Sequence, residues 1–401
     1  MKEVVIVDAV RTPIGKYKGS LKEVRPDDLG ALVIKALVER NPLVPVDMIE
    51  EVVLGNANGA GEDNRNVARM STLLAGLPVE VGATTINRLC GSGLDAVNYA
   101  ARAILANEGD VFIAGGTESM TRAPYVMAKP SKDFPRGNME MFDTTIGWRF
   151  VNSRLKEKFG TDSMPETAEN VAKQFGISRE EQDHFAYWSQ MKAKRAMDEE
   201  RFKAEIVPVE LRDRKGNLST FQFDEHPRPD TNSDKLQKLK PLFQGGTVTA
   251  GNASGVNDGA SALLLMSREK AEELGVTPLA RYMTSATSGL EPSVMGLGPI
   301  YATQKVLKRS GLALDQIGLV ELNEAFAAQS IACIRELGLN EEIVNVNGGA
   351  IAFGHPLGAS GARILTTLLY EMKKRKVRYG LSTMCIGVGQ GIATLVENIE
   401  P

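Results

Sequence analysis

The first 121 residues alternate short apolar runs with helix-like periodicity. Residues 4–7 read Val-Val-Ile-Val and predict a buried strand. Leu29, Leu32, Val33, Ala36 and Leu37 then recur at three- and four-residue spacing, which gives a helix one apolar face. Further apolar runs at 51–54 and 111–114 predict two more strands. Strands alternating with amphipathic helices are the mark of an α/β layer. The pattern breaks over about 122–246, a stretch with eight of the 18 prolines, both tryptophans (Trp148, Trp188) and two of the three histidines. It reads as an inserted, loop-rich unit with a few helices, such as 179–200. From Thr247 onward the α/β alternation resumes.

The two outer parts share a weak repeat. Thr84-Thr-Ile-Asn-Arg-Leu-Cys90-Gly-Ser-Gly before a helix is echoed by Val344-Asn-Val-Asn-Gly-Gly349 before another, and each is followed by a strand ending in glycines, Ala114-Gly-Gly116 and Cys385-Ile-Gly-Val-Gly389. Two similar halves around an insertion explain the shift in composition. The 401 residues, 43% hydrophobic, are ample for a large core. With 47 Lys+Arg against 50 Asp+Glu, the chain has no overall field to attract nucleic acid or an acidic membrane. Three cysteines make no disulfide framework and point to a reducing compartment, so a cytoplasmic location is expected. No spacing suits a zinc site, and no metal is expected. The 39 glycines are a surplus that suggests tight turns or close backbone approach to a ligand.

The sharpest local signal is Asn87-Arg-Leu-Cys90-Gly-Ser-Gly93, where a strand ends at a cysteine and a helix begins. Unpaired backbone N–H groups and the helix dipole favour thiolate there, which makes Cys90 a candidate nucleophile and not merely a small buried residue. His355 stands in Gly348-Gly-Ala-Ile-Ala-Phe-Gly354-His-Pro-Leu-Gly-Ala-Ser-Gly361, a stretch with five glycines, and a thiol needs a base. Cys385 ends a predicted strand over 380–384 and enters the turn Gly387-Val-Gly389-Gln-Gly391. Two cysteines and one histidine in glycine turns would supply a nucleophile, a base and a separate proton donor. Cys333 lies in a helical, apolar setting and reads as structural. Asn323 could be no more than a helix N-cap after a strand over 317–322. His184 and His226 read as surface or loop residues, and the basic run 373–378 as a helix C-terminus.

Gly91-Ser-Gly93-Leu-Asp-Ala96 also fits a dinucleotide-binding pattern, but it does not lie in the first βα unit and lacks a clean acidic partner some 20 residues on. The blocks together resemble the thiolase family: Arg11-Thr-Pro-Ile-Gly15, the Cys90 turn, Ala114-Gly-Gly-Thr-Glu-Ser-Met120, Thr247-Val-Thr-Ala-Gly-Asn-Ala-Ser254-Gly, Asn323-Glu-Ala-Phe326, the His355 turn and the Cys385 turn, in the family's order over essentially the whole chain. The resemblance implies a five-layered αβαβα fold of two similar halves, 1–121 plus 247–275 and 276–401, with a loop domain at 122–246. It implies an acyltransferase that cleaves a 3-ketoacyl-CoA with CoA, or condenses two acyl-CoA molecules in reverse. Cys90 would accept the acyl group and His355 activate it. Cys385 would move the proton of the acetyl-CoA carbanion. Backbone N–H groups of Cys90 and Gly387 would form one oxyanion hole, and His355 with a water held by Asn323 the other. No permanently bound cofactor is implied, since coenzyme A is a co-substrate.

For CoA, the resemblance points to Ser254 near the pantetheine, to Arg228 beside the nucleotide, and to Met164, Phe243 and Phe326 as pocket lining. It also implies a homodimer or homotetramer. Ser163-Met164, in place of His-Met, and the final Gly-Val-Gly are similar to degradative members rather than acetoacetyl-specific ones. The stretches 56–65, 142–148 and 162–170 look like the branch acting on 3-oxoadipyl-CoA, with medium-chain and acetoacetyl substrates as alternatives. A decarboxylating ketoacyl synthase shares the fold but would pair its cysteine with a second histidine or an asparagine where this chain has Cys385.

Overall fold

The computed structural model describes residues 2–131, 133–134 and 136–399. Its frame is one ten-stranded sheet, of which nine strands form two similar halves that meet edge to edge and the two-residue strand Gly15–Lys16 pairs off that path. In the first half, β1 (Val4–Arg11), β2 (Glu51–Gly55), β3 (Gly82–Ile86), β4 (Val111–Ser119) and β5 (Asn257–Ser267) lie in the order β1-β5-β4-β2-β3. In the second, β6 (Ala280–Gly289), β7 (Leu319–Leu322), β8 (Tyr379–Ile386) and β9 (Gln390–Asn398) lie in the order β6-β9-β8-β7. Val344 bridges Val320 in parallel where β3 stands in the first half, so the sequence repeat corresponds to a structural one. The halves join through three residue pairs between β1 and β6.

The strands alternate apolar side chains between two buried faces. On β5, Leu263 and Leu265 face one core while Ala262, Leu264 and Met266 face another, as the two-residue period requires. The outer core of the first half is closed by helix α1 (Pro26–Arg40) through Leu29, Val33 and Leu37. That of the second is closed by α4 (Gly298–Ser310) and α5 (Ala327–Leu337), and Cys333 is buried in it, its thiol donating to the Gly296 carbonyl at 3.3 Å. Between the half-sheets lie α3 (Ser92–Leu105) and α6 (Leu357–Arg375), numbered with α2 (Val67–Leu74). Leu94, Val97 and Ile104 meet Leu365, Leu368 and Leu369 there, each burial contributing ~1.5–3 kcal/mol. Helix, sheet, helix pair, sheet and helix make five layers.

The last turn of α6 carries Lys373, Lys374 and Arg375, so the basic run does complement a helix C-terminus. Outside the large sheet, between β4 and β5, run short hairpins and several helices, the longest at Arg179–Asp198. This segment is anchored by a fully buried ion cluster. Arg11, at the end of β1, bonds Glu205 at 2.6 Å and Asp224 at 2.8 and 3.0 Å.

Candidate active site

Two glycine-rich turns, one before each central helix, build the site. In the first, Asn87 Oδ1 accepts from Leu89 N at 2.9 Å, and the buried Ser92 hydroxyl accepts from Arg88 N at 2.8 Å while donating to the Leu89 carbonyl at 2.6 Å. These bonds hold Leu89 at φ 46°, a left-handed conformation that costs about 1–2 kcal/mol for a branched residue. Cys90 is thereby turned toward a cavity of about 370 Å³. Its sulfur takes a hydrogen bond from the backbone N–H of Gly387. Desolvation outweighs that donor and pushes the Cys90 thiol up to about 11. The expectation of a thiolate favoured by the helix terminus is therefore corrected: the thiol is neutral at rest.

In the second turn, buried His355 is held from three sides. Its backbone N–H donates to Asn257 Oδ1 at 3.0 Å, and its Nδ1 lies 2.6 Å from Ser360 Oγ. With Ser360 donating its one proton to the Pro356 carbonyl at 2.9 Å and accepting from Nδ1–H, Asn323 Nδ2 can in turn donate to Nε2, and this is the arrangement that satisfies all three contacts. That leaves Nε2 as the unprotonated nitrogen. Burial, and then the nearby Arg363, push the imidazole down to about 3, so it rests neutral. Asn323 Nδ2 lies 3.4 Å from Nε2, while Asn323 Oδ1 is buried with no partner among the described residues. Asn323 is not an N-cap, because the following helix starts at Ala327 with Phe326 in the cap position. The turn also needs Gly354, at φ 98°, where a Cβ would lie 2.2 Å from Asn257 Cγ.

Cys385 occupies the end of β8, buried among Met295, Ala325 and Phe326, with Met164 packed against the group. Burial and the proximity of Cys90 hold its thiol well above the ordinary value. Met164 and Gly387 also line the Cys90 cavity, and Ser254 N donates to the Ala325 carbonyl beside Phe326. Of the predicted CoA contacts only Met164 is among the described residues lining that cavity. Phe243 lies on a separate groove with Glu166 and Glu169, and Arg228 is exposed on a loop fixed through its N–H to Gln190.

Three residues given no role from sequence join these parts. Glu118 lines the cavity and accepts from Ala57 N at 2.7 Å and Gly358 N at 2.8 Å, tying both halves together, while burial raises it to about 7. Asn257 anchors His355, and Ser360 fixes its tautomer. Glu118 and Ser360 stood inside the quoted blocks, but only the fold shows what they meet. His226, read as a surface or loop residue, is half-buried against Asn257 at 3.2 Å, and burial followed by Arg228 pushes it down to about 4. Among the described residues no group of three or more His, Cys, Asp or Glu is placed to hold a metal, and no helix is long and apolar enough to cross a membrane.

A thiol on a cavity wall and a neutral imidazole on the equivalent turn of the other half are groups that can perform acyl transfer. The comparison with known proteins agrees. Residues 4–269 match the family model for the thiolase N-terminal domain and 276–398 that for the thiolase C-terminal domain. The chain belongs to the thiolase family. It is an enzyme, an acyltransferase. Similar thiolases include the 3-oxoadipyl-CoA/3-oxo-5,6-dehydrosuberyl-CoA thiolase of Escherichia coli and a beta-ketoadipyl-CoA thiolase of Acinetobacter baylyi, each 56% identical over 402 residues and 100% of both chains. The acetyl-CoA acetyltransferase of Chromobacterium violaceum is 49% identical over 396 residues, covering 98% of this chain and 99% of that one. Among solved structures, human mitochondrial 3-ketoacyl-CoA thiolase superposes with a TM-score of 0.93 at 41% identity, covering 99% of each chain.

Proposed function

We propose that this thiolase cleaves 3-oxoadipyl-CoA with CoA, giving acetyl-CoA and succinyl-CoA through an acyl group carried on Cys90. The geometry that carries the mechanism is a Cys90 sulfur on the cavity wall under the Gly387 N–H and a His355 imidazole held through Nδ1 by Ser360 with Nε2 toward Asn323, burial pushing the thiol up and the imidazole down. His355 takes the Cys90 proton and the sulfur attacks the 3-keto carbon. The bond between C2 and C3 breaks, its electron pair goes to C2, and the Cys385 thiol gives C2 a proton, releasing acetyl-CoA. Burial suits Cys385 to that task, since it keeps the proton on sulfur until a carbanion forms. In the second half, CoA thiol gives its proton to the Cys385 thiolate and its sulfur takes the acyl group. His355 then returns its proton to Cys90. The N–H groups of Cys90 and Gly387 face the oxygen at the reacting carbon, and His355 with an Asn323-held water faces the thioester oxygen of acetyl-CoA.

The substrate reading rests on the names of the similar proteins from Escherichia coli and Acinetobacter baylyi. The same reading has the 122–246 segment, inserted in the first of two halves (1–121 plus 247–275, and 276–401), bring Arg228 to the CoA nucleotide. Ser254 lies near its pantetheine arm, and Met164, Phe243 and Phe326 line the pocket. It includes a cytoplasmic homodimer or homotetramer with no permanently bound cofactor. Mass spectrometry after mixing with 3-oxoadipyl-CoA is the test. A succinyl adduct on Cys90 is expected in the wild type and none in Cys90→Ala; an adduct persisting in the mutant overturns the nucleophile. A kcat/KM for acetoacetyl-CoA above that for 3-oxoadipyl-CoA overturns the substrate.

A further inference from the structure

Arg149 is the only cation among the described residues lining the Cys90 cavity. Much of the surrounding wall is apolar, with Leu89, Met120, Ile146, Trp148 and Val388. Arg149 is half-buried, yet it forms no ion pair among the described residues. Its recorded polar contact is Nη2 to Asn58 Oδ1 at 3.4 Å. Asn58 is itself fixed, because its Nδ2 donates to the Thr144 carbonyl at 3.0 Å and the Thr144 hydroxyl at 2.9 Å. The amide thus turns its oxygen toward the guanidinium and positions it on the cavity wall.

A partly desolvated guanidinium facing an apolar cavity lacks the compensation that a carboxylate would supply. Its planar fork matches a carboxylate with two parallel hydrogen bonds. Glu118 is the only carboxylate among the described residues on this wall; its Oε2 accepts from the N–H groups of Ala57 and Gly358, and its Oε1 from Asn56 Nδ2 at 3.4 Å. An anion arriving with the substrate is the remaining partner. A succinyl group on Cys90 carries its carboxylate only two methylenes beyond the thioester carbonyl, so that charge must be accommodated inside the cavity.

We propose that Arg149 binds the distal carboxylate of the acyl group, making it the residue by which this enzyme selects 3-ketoacyl-CoA substrates ending in a carboxylate over those ending in a methyl. The assignment rests on the reading of the Cys90 cavity as the acyl pocket. The test compares kcat/KM for 3-oxoadipyl-CoA and for 3-oxohexanoyl-CoA, which has the same chain length and a methyl terminus. In Arg149→Gln the ratio of the two falls roughly tenfold to a hundredfold, the range expected for hydrogen bonds to a charged group. Arg149→Met keeps the aliphatic stem and gives the same reading should the glutamine variant fail to fold. Arg149→Lys recovers part of the ratio. A ratio within twofold of wild type in the Gln or Met variant overturns Arg149 alone. A wild-type enzyme that already prefers the methyl substrate overturns the substrate reading beneath it.

Discussion

The turn before α3 and the turn before α6 occupy equivalent places in the two halves, yet one presents a cysteine and the other a histidine. The Cys90 turn opens onto a cavity, with its strain at Leu89 held by side-chain bonds to its own backbone. The His355 turn is buried and held instead from outside, by Asn257 and Asn323, and from the following helix by Ser360. A nucleophile must meet substrate, whereas a base needs only an unprotonated nitrogen and a fixed tautomer. A duplicated strand–turn–helix unit therefore supplies both partners once the two central helices are packed together. Glu118 completes the join by holding the N–H of Gly358 from the second turn and that of Ala57 from the first half.

Removing the base should show the largest effect. His355→Ala lowers kcat/KM by about 10²- to 10⁴-fold, the usual worth of a positioned acid/base group. A loss under tenfold would remove His355 from proton transfer. Next comes the resting charge of Cys90. Burial places its thiol near 11 instead of the ordinary 9.0, so thiolate is about 100-fold scarcer at pH 7.5 than in an unperturbed cysteine. Iodoacetamide labelling of Cys90 should keep rising with pH beyond 9. A plateau below pH 8 would show that the helix terminus and the Gly387 N–H outweigh burial. The third change is subtler. Ser360→Ala removes the acceptor for Nδ1–H, and kcat is expected to fall roughly tenfold while KM stays near wild type. A rise in KM with kcat unchanged would make Ser360 a packing residue only.

These contrasts were legible in the sequence to different depths. The turns themselves were visible because glycine clusters, a cysteine and a histidine coincide in short stretches. The first strand was read as 4–7 because Asp8 ends the apolar run, but it continues to Arg11. Asp8 is tolerated because Arg40, Asn41 and Tyr370 bond it, partners 32 to 362 residues away. The same distance hid Glu118 and Arg149, whose meaning depends on what faces them across the cavity. Asn323 was recognisable only by family likeness, since its residue type and position suit a cap equally well. The sign of the Cys90 shift was misjudged for a related reason: a helix terminus is local and readable, whereas burial is a property of the whole fold.

The smallest effect concerns the packing that brings the two turns together. A Cβ at Gly361 in α6 would lie 2.4 Å from Leu94 N and 3.0 Å from Leu94 Cα in α3. Both are backbone atoms, so a rotamer change cannot relieve the clash and the helices must separate. Alanine is the better helix former by about 1 kcal/mol, which opposes the strain. Overpacking of a close contact costs about 1–3 kcal/mol, so Gly361→Ala should destabilise by up to about 2 kcal/mol. Gly82→Ala is the matched control, because its Cβ would meet nothing closer than 3.7 Å, and it should stay within about 0.5 kcal/mol of wild type. Urea melts measure both. Spreading the helices also shifts one turn against the other, so Gly361→Ala should lose activity in the native range while Gly82→Ala keeps it. Equal stability and equal activity in the two variants would mean that the turns are aligned by Glu118 and the loops alone, not by contact between the paired helices.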